Sequence, residues 1–376
     1  MSGINQRRGY MSFAKALREC ERTDFDGCDF VVRLNEGRDA KNIRILQLTD
    51  MQIIDAAQRR APDRIRPDEI AAWGKDRFDA MCGNHIRSLV TQSRPDLIII
   101  TGDIVYGSFD DSGETLKYIC RLMDSFEIPW APVFGNHDNE SLIGVDWQCR
   151  QLEESRYCLF KRGGVSGNGN YTVGIALGNK LLRVIHMLDS NGCRGGNDPS
   201  LIKERGLYPD QLELIKNNTR RIKAAQQRAV PAFVAFHIPV DIFKEAETAK
   251  GYRTGDDARF MLGVDTVAKD RDFGFCLESY GVIRTEQGFC DFLKAQNVDG
   301  VFVGHVHNNC TSISYKDIVW TFGFKTGQYD YHIPYQIGGT LISLDGDAFD
   351  VKHLPSLVGC APMPSGSPMF RGFFAD

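Results

Sequence analysis

The chain has 376 residues, enough to bury a large core in one big domain or two smaller ones. Hydrophobic residues make up 42% and charged residues 25%, and the formal charge of −4 leaves no basic surplus for a dedicated nucleic-acid binder. Its eleven cysteines include no CxxC pair, which argues against a zinc ribbon or a disulfide framework and for free thiols in a reducing compartment. The first thirty residues are too polar for a signal peptide, and no run of about 18 apolar residues appears, so no membrane span is expected. The expected location is the cytoplasm, unless a leader has been removed.

Residues 1–39 read as a polar N-terminal arm. "NIRILQLTD" then reads as a short buried strand ending in a polar corner at Asp50. From Phe78 the pattern is helical, with Met81, Cys82, His85, Ile86, Leu89 and Val90 falling on one face. His85 lies on that apolar stripe and is expected to pack in the core. "RPDLIIITGD" is a second strand, also ending in an acid, Asp103. Leu116, Ile119, Cys120, Met123 and Phe126 mark another amphipathic helix, and "IPWAPVFGNHD" is a third strand.

The order so far is strand, helix, strand, helix, strand, with polar residues where each strand ends. In α/β architectures functional residues collect there, because the loops converge on one edge of the sheet. "NYTVGIALGNKLLRVIHMLDS" predicts a hairpin turning at Gly178-Asn179, with His186 structural inside its second strand. "YPDQLELIKNNTRRIKAAQQ" is a helix opened by Pro209 and Asp210, and "VPAFVAFHIP" is a strand running into His237. Residues 240–288 are irregular and polar, as expected of an insertion or cap. The sheet resumes at "VDGVFVGHVHNN" and continues through "CTSISYKDIVWTFGF" and "GGTLISLDGDAFDVKHL". The domain expected is thus residues 40–355, followed by a Pro-, Gly- and Ser-rich tail over 356–376.

Five strand ends carry Asp50 with Gln52, Asp103, Asn136 with His137 and Asp138, His237, and His305 with His307. Each alone is weak, since an Asp after a strand is usually a turn or cap residue. The His-x-His of "GHVHNN" is more telling, because alternate side chains on an extended segment share a face. A set of carboxylates, an amide oxygen and imidazoles suits divalent ions such as Mn, Zn or Fe rather than thiophilic metals. A central carboxylate can bridge two such ions about 3.5–4 Å apart, the arrangement used for in-line displacement at phosphorus.

The ordered set "LTDMQ", "GDIVY", "GNHDNE", "FHIP" and "GHVHNN" resembles the calcineurin-like metallophosphoesterase superfamily over roughly residues 42 to 345. Within it, "GNGNYTV", "LDSNG" and "YPDQLELI" look similar to the purple-acid-phosphatase-related phosphatases of fungi and plants. The resemblance implies an α/β (α+β) four-layer fold, two mixed β-sheets packed as a sandwich flanked by helices. It implies a dinuclear centre in which Asp50 and His307 bind the first metal, Asp103 bridges, and Asn136, His237 and His305 complete the second. It also implies in-line attack of a metal-bound hydroxide on a phosphate ester. His137 would face the substrate and protonate the leaving oxygen, with Asp138 orienting its ring.

Two positions depart from the superfamily pattern. The usual Asp-x-His is here Asp50-Met51-Gln52, so Gln52 stands as a weaker, neutral oxygen donor to the first metal. Tyr106 lies where purple acid phosphatases place the tyrosinate that binds ferric iron, and the alternative is an ordinary loop aromatic. In the insertion, Tyr252, Arg253 and Arg259 are candidates to meet an anionic substrate. The expected ligand is a small phosphate ester, with phosphomonoesters favoured through the narrower resemblance. The rival readings are a phosphodiesterase acting on a nucleotide or lipid-type small diester, and a non-catalytic scaffold that kept the fold.

Overall fold

The computed structural model describes residues 25–35, 40–55, 78–193, 202–252, 272–333 and 336–359. Its smaller sheet has five strands in the order β12-β11-β2-β3-β4. They are β2 (Lys41–Leu48), β3 (Leu97–Thr101), β4 (Trp130–Val133), β11 (Gly338–Asp345) and β12 (Ala348–Pro355). β2, β3 and β4 run parallel, joined by helices α1 (Phe78–Ser93) and α2 (Glu114–Asp124), while β11 and β12 close one side as an antiparallel hairpin. The alternation seen in the sequence is therefore two successive parallel crossovers. β3, "LIIIT", is buried at every position because it lies between β2 and β4 and is covered on both faces.

The larger sheet has seven strands in the order β1-β5-β6-β7-β8-β10-β9. These are β1 (Phe30–Leu34), β5 (Tyr171–Leu177), β6 (Lys180–Met187), β7 (Ala232–Ala235), β8 (Val298–Val303), β9 (Ser312–Tyr315) and β10 (Ile318–Phe322). β5 and β6 form the expected hairpin, with Leu177 opposite Lys180. β1 falls in the stretch read above as a polar arm. It pairs in parallel with β5, and Val31 and Val32 are buried in the process. A five-residue strand with adjacent apolar residues gives no clear period-two signal, so only the pairing shows it.

One apolar cluster fills the space between the sheets and beneath α1 and α2, joining Leu48 and Ile100 to Phe233 and Phe302. Helices α3 (Val145–Glu154), α4 (Pro209–Gln226), α5 (Ile242–Ala249) and α6 (Phe289–Ala295) complete the described helices. A second cluster packs α4, α5 and α6 on the other face of the larger sheet. Arg183, fully buried on β6, ties the layers together. Its guanidinium lies 4.1 Å from the Phe233 ring centroid, pairs with Asp299 and donates to the Asp347 carbonyl at 2.6 Å in the β11–β12 turn. None of the nine described cysteines is in a disulfide, and no described helix is long and apolar enough to cross a membrane.

This architecture places the C-terminal ends of β2, β3, β4, β7 and β8 along one edge. The loops leaving those strands are zipped together by backbone bonds, including Asp50 N to Gly102 O at 3.1 Å and Gly304 N to His237 O at 3.1 Å.

Candidate active site

Asp50, Asp103, Asn136, His237, His305 and His307 all lie on these zipped loops, and five of the six are buried, His305 being half-buried. The local backbone is unusual. Asp50, Gln52, Asp103 and His305 adopt left-handed φ values between 46° and 75°, a conformation that costs energy for residues with a side chain. Close approach of the loops also demands glycine. A Cβ on Gly135 would stand 2.2 Å from Asp103 Oδ1, and one on Gly304 would stand 1.9 Å from Thr49 Oγ1.

Hydrogen bonds to the backbone fix two of the imidazoles. His237 Nδ1 donates to Thr101 O at 2.7 Å, and His307 Nδ1 donates to Tyr331 O at 2.9 Å. Each ring therefore turns Nε2 toward a carboxylate, at 3.2 Å from Asp103 Oδ2 and 3.4 Å from Asp50 Oδ1. With Nδ1 protonated, the neutral ring offers a lone pair there, and a lone pair facing a carboxylate requires a positive charge between them. Asp50 Oδ1, Asn136 Oδ1 and His237 Nε2 are all buried without a hydrogen-bond partner. Ligand atoms of Asp50, Asp103 and His237 converge within 4.8 Å of one another. These donors fit cations, being oxygens and imidazole nitrogens of the kind that bind borderline and hard divalent ions.

The electrostatics agree. Burial alone would favour neutral carboxyls, yet the facing histidines hold Asp50 down to about 2 and Asp103 well below the usual carboxylate range. Burial opposes a charged His237, but the Asp103 carboxylate overcomes it and raises the ring to about 9. Burial and the adjacent His237 push His305 down to about 3. The centre thus draws positive charge in from any source.

His137 lies beside this cluster without pointing into it. Its backbone N–H donates to Asp103 Oδ1 at 2.8 Å, and its Nδ1 lies 2.8 Å from Glu140 Oε2, leaving Nε2 for the cleft. Here the sequence expectation needs correcting. Asp138 does not orient the ring, because its carboxylate accepts the backbone N–H groups of Gly135 at 2.8 Å and Val105 at 2.9 Å. Asp138 holds the loop, and Glu140 holds the imidazole. A one-turn helical segment over Asp138–Glu140 explains the swap, since three residues of turn bring Glu140 back against His137.

Gln52 needs a second correction. It is fully buried, but its Oε1 accepts from Lys325 Nζ at 2.5 Å and its Nε2 donates to Asp103 Oδ2 at 3.3 Å. Flipping the amide would set NH2 against ammonium and oxygen against carboxylate, so the orientation is unambiguous. In this arrangement Gln52 is a donor to the central carboxylate, and its oxygen is taken by Lys325. Lys325, itself fully buried, also donates to Asp50 O at 3.0 Å. Nothing in the sequence pointed to it, because it lies far along the chain in a loop without periodicity.

Tyr106 stacks on the His137 ring with centroids 4.4 Å apart at 22°, and meets Phe109 in a tilted contact at 4.9 Å. It lines the same cleft, whose volume is about 660 Å3. Lys203 and Arg205 line that cleft as well, and sequence reasoning passed over both. Arg253 and Arg259 lie outside the described residues. Tyr252 turns into the second apolar cluster rather than toward the cleft. His85 and His186 are buried, as expected, against Ser356 Oγ at 2.8 Å and Thr172 Oγ1 at 2.9 Å.

Comparison with known proteins agrees with this geometry. The profile of the calcineurin-like phosphoesterase family matches residues 43–309. A protein of Arabidopsis thaliana named probable inactive purple acid phosphatase 28 is 26% identical over 79% of this chain and 73% of its own. Phosphatase DCR2 of Saccharomyces cerevisiae is 27% identical over 42% of this chain and 28% of its own. Among solved structures, a dimetal phosphatase from Danio rerio aligns with 86% of this chain and all of its own, at 12% identity and a TM-score of 0.49.

Proposed function

Because the chain belongs to the calcineurin-like phosphoesterase family, whose members imply a dinuclear metal centre, we propose that it is a metal-dependent hydrolase of phosphate esters, with phosphomonoesters preferred. The observation that carries this reading is the set of buried atoms without a hydrogen-bond partner, Asp50 Oδ1, Asn136 Oδ1 and His237 Nε2, gathered beside a cleft that His137 lines. Asp50 and His307 would hold one ion, Asn136, His237 and His305 the other, and Asp103 would lie between them. When bound, such ions supply positive charge for the phosphoryl oxygens and a water of lowered pKa. Mn, Zn and Fe all match the donor set.

The chain's own groups do the rest. Gln52 donates to Asp103 and keeps its carboxylate turned toward the imidazoles. Lys325 neutralises part of the acidic centre from below. His137 Nε2 would donate to the phosphoryl or leaving-group oxygen, with Glu140 fixing the ring and favouring its protonated form.

The names of the Arabidopsis relatives favour a second reading, a non-catalytic scaffold, and a phosphodiesterase is the third. The deciding experiment measures metal content together with turnover of an aryl phosphate monoester and the matching diester. Wild type is expected to hydrolyse the monoester faster, with His137→Ala losing roughly 100-fold in kcat at unchanged metal content. Full metal occupancy without hydrolysis of either ester would establish the scaffold. Faster turnover of the diester would establish the phosphodiesterase. An absorption band in the visible on loading with ferric iron would place the Tyr106 phenolate on the metal, and a colourless active preparation would remove it.

A further inference from the structure

The cleft holds two cations that the metal chemistry does not use. Lys203 and Arg205 both line it, with a bend at Glu204 between them. Both side chains are exposed, and neither has an ion-pair or hydrogen-bond partner among the described residues.

Their position is built rather than incidental. The segment carrying them is fastened to the loop after β6 by Gly192 N to Ile202 O at 3.1 Å, Cys193 N to Lys203 O at 3.3 Å and Gly206 N to Ser190 O at 2.9 Å. That loop is fastened in turn to the active-site loops. Asn139 Nδ2, two residues beyond His137, donates to Gly192 O at 3.0 Å. Ser190 Oγ accepts from Ile238 N, the residue after His237, at 2.9 Å. The Arg205 guanidinium lies against Gly281, where a Cβ would come within 2.5 Å of Nη1.

We propose that Lys203 and Arg205 form a second anion subsite, which takes the second phosphate of a bisphosphorylated small molecule while the Asp/His centre holds the first. A guanidinium fork and an ammonium suit a phosphate dianion, to which arginine binds through paired N–H groups. A cleft of about 660 Å3 suits a small molecule. The subsite rests on the phosphoesterase reading for its substrate class, but its anion binding can be measured separately.

Two arms test it on the full chain loaded with Mn2+. In the first, turnover of fructose 1,6-bisphosphate is compared with that of fructose 6-phosphate. The bisphosphate is expected to show a kcat/KM about tenfold higher. Arg205→Ala and Lys203→Ala should each raise its KM several-fold and leave the monophosphate unchanged. In the second arm, calorimetry compares inorganic pyrophosphate with orthophosphate. Tighter pyrophosphate binding, lost in the Lys203→Ala/Arg205→Ala double variant, supports the subsite even if no ester is hydrolysed, in which case the phosphoesterase reading fails alone. Equal binding of the two anions, or equal effects of the variants on both, overturns the subsite. Preference for a phosphopeptide over the bisphosphate, with the same dependence on Arg205, overturns the small-molecule assignment.

Discussion

Lys325 and Gln52 meet across 2.5 Å in the floor of the site, ammonium to amide oxygen, and the pair turns the amide N–H toward Asp103. The Lys325 amine therefore lies beside Asp50 and Asp103, both buried, on the side where the family pattern places a second imidazole ligand. Burial works against its charge and lowers its pKa, while Asp50 and Asp330 hold it up. To the extent that Lys325 is charged, its positive charge in a poorly screened interior weakens the binding of a metal cation nearby.

Lys325→Met is accordingly expected to tighten binding of the weaker of two Mn2+ equivalents, by roughly tenfold or more. The check is isothermal titration of the metal-stripped protein. Unchanged or weaker binding would show instead that Lys325 holds Asp50 and its loop in place.

Glu140 and Asp138 should separate cleanly. Glu140→Gln, which keeps a hydrogen bond to His137 but loses the charge, should lower kcat roughly 10-fold or more with KM nearly unchanged. It should also shift the acid or base limb of the pH–rate profile, which a purely structural residue would not. Asp138→Ala leaves two buried backbone N–H groups unpaired and should lower stability by roughly 2–4 kcal/mol. Urea unfolding of both variants decides this. Comparable destabilisation by the two would reject the division.

Tyr106 supports the His137 ring by stacking. Tyr106→Phe keeps the stack and should leave kcat within about threefold, whereas Tyr106→Ala should lose roughly tenfold, the order of an aromatic contact. Should the Phe variant lose as much as the Ala variant, the hydroxyl and not the ring carries the effect.

Two histidines away from the site, His186 buried and His353 half-buried on β12, predict acid sensitivity. Burial pushes His186 and His353 down to about 4 each. His353 is satisfied as a neutral ring, with Nε2 on Cys310 O at 2.8 Å and Nδ1 on Thr340 Oγ1 at 2.9 Å. Unfolded, both rings titrate near about 6.5, so between there and pH 4 the unfolded chain binds more protons. Their stabilisation is complete above about pH 6.5 and is lost as pH falls toward 4, of order 3 kcal/mol for the buried His186 ring and less for the half-buried His353. His353→Gln should be less stable than wild type at pH 7, with the difference shrinking as pH falls. A difference that does not vary with pH would mean the ring is not held neutral.

Much of this was legible in the chain alone. The strand–helix alternation, the β5–β6 hairpin and the residues at five strand ends follow from local periodicity and turn chemistry, which are properties of neighbours in sequence. The family motifs sit on those same strand ends, and each of the six candidate ligands comes to the common edge. The partners of those residues were not legible. Glu140 rather than Asp138 meets His137 because a tight helical turn decides which acid swings back. Gln52 faces Asp103 with its amide because Lys325, brought from a loop in a different part of the chain, takes its oxygen. Lys203 and Arg205 reach the cleft through backbone bonds to the loop after β6, which Asn139 and Ser190 tie to the active-site loops. The amino-acid order determined which groups arrive at the edge, because that depends on strands and their ends. Which atom each group presents there depends on contacts between distant segments, and only the tertiary structure decided it.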